Sequence, residues 1–229
     1  MLRRAIAEFV VLLATFFVSA MLLLGAIDIF GGGMSDEIGG TVAMIAALPA
    51  IWLACLVGRR TFRDLVGHPP YGIWRALAVT VPVGALSVAA AMYFRDWHWQ
   101  GASIFHLAMI PIMAWVEELL FRGWFPQFLG GKLYSYLLPI PIFAAIHAPS
   151  SSLGWIAYLV SGTCFALVAW RTRGIGMSTV FHAVSNYTIY IIMMGTHHGD
   201  VLLIAKILMF AAVTALLLVT APRKLVDAP

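Results

Sequence analysis

Eight apolar stretches, each close to the length a helix needs to cross a bilayer, dominate this sequence. They run near 5–27, 40–58, 72–94, 102–124, 133–148, 153–170, 174–194 and 200–220. A hydrocarbon core of about 30 Å takes roughly 20 helical residues. The breaks carry turn chemistry: Gly31-Gly32-Gly33, Pro69-Pro70, Gly130-Gly131, Pro149 with Ser150 to Ser152, and Gly195. None is long enough to hold a soluble domain, and no internal repeat is visible. Composition agrees. Hydrophobic residues make up 62% and charged residues 10%, against roughly 45–50% and 25% in an ordinary globular domain. So few charges cannot wrap so much apolar surface, which excludes a soluble enzyme, a disordered chain and a coiled coil. The expected fold is all-α: one polytopic transmembrane domain over residues 1–229 with about eight helices.

Charge placement sets the expected orientation. With loops assigned alternately, one side holds Arg3, Arg4, Arg59, Arg60, Arg63, Arg75, Arg122, Lys132, Arg171, Arg173, Arg223 and Lys224, and the other only Arg95 and Lys206. Cytoplasmic loops carry the excess of Lys and Arg, so both termini are expected in the cytoplasm. The net charge of +4 has the same explanation, and no nucleic-acid partner is inferred. Trp74, Trp124 and Trp170 are expected near the inner boundary, and Trp97, Trp99 and Trp155 near the outer one. Arg3-Arg4 followed by Val18-Ser19-Ala20 resembles a signal peptide, but the apolar run continues to Ile27. It is read as an uncleaved first span. Cys55 and Cys164 lie inside apolar stretches and form neither a disulfide framework nor a metal cluster.

Ionisable groups inside a membrane are costly, and three clusters therefore mark candidate function. The first is Glu117-Glu118 with Arg122. Glu118 and Arg122 stand four apart, acid first, the favourable order for a helical ion pair. Glu117 points about 100° away and its i+4 residue is Phe121. Arg122 can thus neutralise Glu118 and leave Glu117 unpaired, which suits proton transfer near neutral pH. The second is Phe143-x-x-x-His147, on one helix face. Alone, such a histidine is more often a packing residue. The third is His182-x-x-x-Asn186, again on one face, where an imidazole and a carboxamide could steady an oxyanion or bond to a neighbouring helix. Together the three are cheapest when turned toward one another, and Glu, His and a donor pair around a water make a hydrolytic site. Depth counting at about 1.5 Å per residue puts all four groups in one middle-to-inner layer, if Lys132 to Tyr136 stays in the interface. The remaining histidines, His68, His98, His106, His197 and His198, fall in loops or at a span's outer end.

Glu-Glu-Leu-Leu-Phe-Arg-Gly at 117–123, then Phe143-x-x-x-His147, then Arg171, Arg173 and Gly174 leading into His182-x-x-x-Asn186, resembles the CPBP family. That family comprises the CAAX proteases and bacteriocin-processing enzymes and is also called the ABI family. The resemblance spans about 102–190, with a catalytic core over about 102–194; residues 1–100 match only as generic spans. It implies a glutamic-type intramembrane endopeptidase with a CAAX-protease-type core. Glu117 and His147 would activate a water, and His182 and Asn186 would hold the oxyanion. Glu118, Arg122 and Phe143 would support them. Relatives have long been labelled metalloproteases. A zinc site could be improvised from Glu117, His147 and His182, since three ligands and a water suffice, but no His-Glu-x-x-His is present and a metal-free site is the expectation. The implied partners are the bilayer and a membrane-anchored protein or peptide cleaved near its C-terminus or leader. The small loops suggest a bacterial or archaeal inner membrane. A proton-coupled transporter, or a non-catalytic bacteriocin-immunity protein, are the competing readings.

Overall fold

A computed structural model describes residues 2–29, 36–67, 73–94, 104–193 and 199–220. The breaks at Gly31 to Gly33, Pro69-Pro70 and Gly195, the side chain of His106, and the residues His68, Trp97, His98, Trp99, His197 and His198 lie outside what is described. The regular elements among the described residues are all helices: α1 (Leu2–Ile29), α2 (Asp36–Gly58), α3 (Phe62–Val66), α4 (Ile73–Phe94), α5 (Ile104–Glu118), a π-helical turn (Leu119–Trp124), α6 (Phe125–Phe128), α7 (Leu133–Leu137), α8 (Ile140–Ile146), α9 (Ser152–Thr172), α10 (Gly176–Met193) and α11 (Gly199–Thr220). Among them, 3–27 and 152–172 are long and apolar enough to cross a membrane.

Two of the expected spans differ from simple helices. The stretch 133–148 is broken into α7 and α8. Pro139 and Pro141 remove two backbone donors there, and the helical ladder resumes with the Phe143 N–H donating to the Pro139 carbonyl at 2.9 Å. The stretch 102–124 ends in the π turn, where Phe125 N–H donates five residues back to Leu120.

Large apolar side chains lie on the outside of the helices, while several charged and polar ones are buried. Val10, Phe17, Val18, Met21 and Leu22 of α1, Trp52 of α2 and Leu86 of α4 are exposed, whereas Glu8, Glu117, Glu118, Arg122, Ser178 and His182 are buried. One apolar cluster gathers Phe121, Phe143, Phe165, Phe181 and Phe210 between α8, α9, α10, α11 and the π turn. A second joins α1, α2, α5 and α3 through Leu12, Ala50, Ile51, Leu65, Val116 and Trp124. Helix α10 is central, packing on α4, α5, α9 and α11.

The short helix α3 ties the two halves at one end. Thr61 and Asp64 form a capping box, with the Thr61 N–H donating to Asp64 Oδ2 at 2.7 Å. These bonds hold the exposed Asp64 carboxyl below its ordinary range. Gly67 then bridges to Gly174 in the α9–α10 turn. Its φ of +76° and the closeness of the Arg173 carbonyl leave no room for a Cβ.

Trp124 is fully buried, and its indole N–H donates to the buried Glu8 Oε1 at 3.0 Å. Tyr136 is also buried, packed with Ile140 against Ala166 and Ala169 of α9. Trp74 and Trp155 are exposed.

Candidate active site

The two adjacent glutamates close α5, and the 100° between them sends their side chains to different partners. Glu118 is fully enclosed and meets one ion-pair partner and two hydrogen-bond partners. Arg122 Nη1 lies 3.2 Å from Oε1, His182 Nδ1 lies 3.0 Å from the same oxygen, and Ser178 Oγ donates to Oε2 at 2.7 Å. Arg122 is itself fixed by donating from Nη2 to the Gly162 carbonyl at 3.0 Å, with its guanidinium over the Phe143 ring at 4.4 Å. Cation–π contacts of this kind add to the ion pair. Gly162 is a glycine for a reason: a Cβ there would meet the Phe143 ring at 3.0 Å.

Glu117 is buried as well, but among the described residues no arginine makes an ion pair with it. Its Oε2 lies 3.7 Å from His147 Nε2 and 3.8 Å from His182 Nε2, and has no hydrogen-bond partner among the described residues. An unpartnered carboxylate oxygen in a buried place costs free energy, so its position demands an account.

His147 caps the C-terminus of α8. Its Nδ1 lies 2.7 Å from the Phe143 carbonyl oxygen. A carbonyl only accepts, so Nδ1 carries a proton and Nε2 is the ring nitrogen left to face Glu117. His182 is buried on α10, stacked on Phe165 at 4.2 Å. Its Nδ1 faces the Glu118 carboxylate and its Nε2 faces Glu117. Asn186, one turn further along α10, completes the wall.

Glu117, Phe143, His147, His182 and Asn186 thus line one half-open cavity of about 270 Å³. Tyr158, Ser161, Phe165 and Tyr190 add polar and aromatic wall, and Ile110, Met113, Ile189 and Phe210 the apolar remainder. All seven residues singled out in the sequence come together here: five line the cavity, and Glu118 and Arg122 stand behind it. Among the described residues, no group of three or more His, Cys, Asp and Glu side chains is arranged to hold a metal ion.

Four participants escaped the motifs: one serine, an aromatic pair and one acid. Ser178 stands four residues before His182 on the same face of α10, so the spacing that paired His182 with Asn186 could have found it. Tyr158 and Phe165 stack on His147 and His182. They are seven apart on α9, a period that marks one helix face. The last is Glu8, a lone acid within the first apolar stretch. Arg60 lies 3.3 Å from it.

Residues 98–188 match the model of the type II CAAX prenyl endopeptidase Rce1-like family. The matched segment holds Glu117, Glu118, Arg122, Phe143, His147, His182 and Asn186, and the match bears out the family resemblance carried by those motifs. At the level of the family, the match indicates a protease. No curated protein and no solved structure matches the chain.

Proposed function

We propose that this chain is an intramembrane endopeptidase of the glutamic type, acting on a membrane-anchored protein or peptide near its C-terminus or leader. The observation that carries the reading is the buried Glu117 Oε2, without a hydrogen bond among the described residues and facing two imidazole Nε2 atoms across the cavity. Two facing acceptors at 3.7 Å suit a water that donates one proton to each. Such a water is oriented and made nucleophilic by the same contacts.

The chemistry then follows from the side chains. The water oxygen bonds to the carbonyl carbon of the scissile peptide. Its proton passes to the Glu117–His147 pair, and the carbonyl π electrons move onto oxygen. Asn186 offers an N–H donor to that oxyanion. His182 can donate from Nε2 only when both ring nitrogens carry protons, and Glu118 supplies the counter-charge to that form. Collapse of the tetrahedral species breaks the C–N bond, and the proton held by the pair goes to the departing amine. A carboxylate with an imidazole can take and return a proton, and Glu118 paired with Arg122 cannot do so as readily.

A bilayer setting is supported by the apolar exterior of α1, α2 and α4, by the two long apolar helices and by the family match. The substrate class rests on the family description, in which a C-terminal CAAX sequence is the site of prenylation. The break between α7 and α8 is also the kind of discontinuity a transporter uses, so transport is the second reading.

The test is reconstitution in liposomes with three probes: an S-farnesylated peptide ending in CAAX, a bacteriocin-type leader peptide and a C-terminal sorting helix, with products identified by mass spectrometry. We expect cleavage of at least one, lost in Glu117→Gln and His147→Ala and unchanged by prolonged chelation. Wild-type turnover by Glu117→Gln, or cleavage of none of the probes, overturns the protease reading. Near-stoichiometric zinc, with activity lost on chelation and restored by zinc, overturns the metal-free mechanism. Ion flux through the same liposomes without proteolysis favours the transporter.

A further inference from the structure

Tyr158 forms part of the cavity wall, yet the chemistry above gives it no task. Its ring stacks on His147, with centroids 4.4 Å apart and planes inclined by 29°. His147 sits at the end of α8, where the helical ladder stops, and the following residue, Ala148, has a φ of +42°. The bond from Nδ1 to the Phe143 carbonyl fixes one ring atom. The direction of Nε2 depends on the plane of the ring as well, and the contact that sets a plane is a stacked neighbour.

Helix α9 supplies such a neighbour to both histidines. Tyr158 stacks on His147, Phe165 stacks on His182, and between them the Gly162 carbonyl takes Arg122. Residues 158, 162 and 165 fall at i, i+4 and i+7, one face of one helix. Ser151 caps the start of α9 by accepting from the Gly154 N–H, and the helix runs unbroken for 21 residues. One face of a rigid helix therefore sets the planes of both imidazoles against Glu117. The two cases differ in burial: the His182 side chain is 3% exposed and that of His147 is 21%. His147 is the more loosely enclosed, and its stacking partner carries more of its orientation.

We infer that Tyr158 is a positioning residue for His147, holding the imidazole plane so that Nε2 faces Glu117; this rests on the reading of His147 as half of the water-activating pair. A stacked aromatic face also favours the cation that forms when His147 receives a proton. Both effects belong to the chemical step rather than to substrate binding.

The experiment compares Tyr158→Phe, Tyr158→Trp and Tyr158→Leu with the wild type in liposomes, on the S-farnesylated CAAX peptide or whichever of the three probes the wild type cleaves. The aromatic variants should keep kcat within about threefold, while Tyr158→Leu loses about tenfold in kcat with KM little changed, the size of one aromatic stacking contact. Thermal midpoints should be similar for all three. If Tyr158→Leu fails to fold, Tyr158→Met replaces it, being apolar, adaptable and unable to stack as a ring. Wild-type kcat in the non-aromatic variant overturns the inference. So does an equal loss in Tyr158→Phe, which would assign the effect to the hydroxyl, or a loss that falls on KM. Glu117→Gln separates the two levels. Inactive Glu117→Gln beside a fully active Tyr158→Leu rejects the role of Tyr158 alone, whereas active Glu117→Gln rejects the catalytic reading beneath it.

Discussion

Glu118→Gln is the substitution whose consequences the structure fixes most closely. Three groups converge on the two Glu118 oxygens: Arg122 at 3.2 Å, His182 Nδ1 at 3.0 Å and Ser178 Oγ at 2.7 Å. Glutamine can keep its oxygen toward Arg122 and His182 and donate its NH₂ group to the Ser178 hydroxyl, so the hydrogen bonds can be remade. The larger effect is on charge. Arg122 stays buried and cationic with its counter-ion removed, and breaking a buried pair from one side costs about 3–5 kcal/mol. At about 2–4 °C per kcal/mol for a chain of this size, the thermal midpoint should fall by roughly 6–20 °C.

Activity should fall for a different reason. His182 loses the carboxylate that holds its Nδ1–H, and with it one oxyanion donor, a loss of about 10²–10³ in kcat. The double substitution Glu118→Gln/Arg122→Met separates the two. Removing the stranded charge should restore part of the midpoint, because coupled partners are not additive, yet leave kcat depressed, because the partner of His182 is still changed. Thermal unfolding followed by tryptophan fluorescence, beside cleavage in liposomes, measures both. A midpoint within about 2 °C of wild type for Glu118→Gln would refute the ion-pair argument. Stability and kcat returning together in the double variant would refute the separate role at His182.

Two further outcomes follow from the same geometry. His182→Ala and Asn186→Ala should each lower kcat by about 10²–10³, and their double variant should lose less than the product of the two, as for groups acting on one oxyanion; single variants keeping more than half of wild-type kcat would remove the donor assignment. Glu8→Gln strands Arg60, whose Nη1 is already buried without a hydrogen-bond partner, and should cost about 3 kcal/mol of stability while leaving KM unchanged; an unaltered midpoint in thermal unfolding would show the cluster to be dispensable.

The helical segments and the three polar faces were legible because both rest on local periodicity. Apolar runs of span length mark helices, and i, i+4 spacing placed Glu118 with Arg122, Phe143 with His147 and His182 with Asn186. The α7–α8 break was legible too, in Pro139 and Pro141, but the apolar run through them masked it. The π turn carries no such mark: Leu119 to Trp124 reads as a helix of either kind. The partners of Glu117 were legible only through the cost of burying three polar clusters and through the family resemblance, because His147 and His182 are 30 and 65 residues away in sequence and only the packing of α8 and α10 brings them to it. The face of α9 fell between these cases. Its period of seven is present, yet in an apolar helix a Tyr and a Phe on one face look like core.

The buried carboxylates themselves separate structure from chemistry. Among the described residues three glutamates are buried: Glu8, Glu117 and Glu118. Glu8 faces Arg60 and Glu118 faces Arg122. A guanidinium never gives up its proton in a protein, so those two pairs are fixed charges, and fixed charges organise. Glu8 does so through Trp124 and Glu118 through Arg122 and Gly162, which holds the π turn both toward the N-terminal helix and toward α9. Glu117, two residues before that turn begins, faces two imidazoles instead. Imidazole is the side chain whose proton comes and goes near neutral pH. Glu118 also meets an imidazole, His182 Nδ1 at 3.0 Å, but on the oxygen that also meets Arg122. Of the three, Glu117 alone meets imidazoles with no arginine in ion-pair contact among the described residues, and it alone lines the cavity. The arginines therefore mark which acids build the site, and the histidines mark the one that works in it.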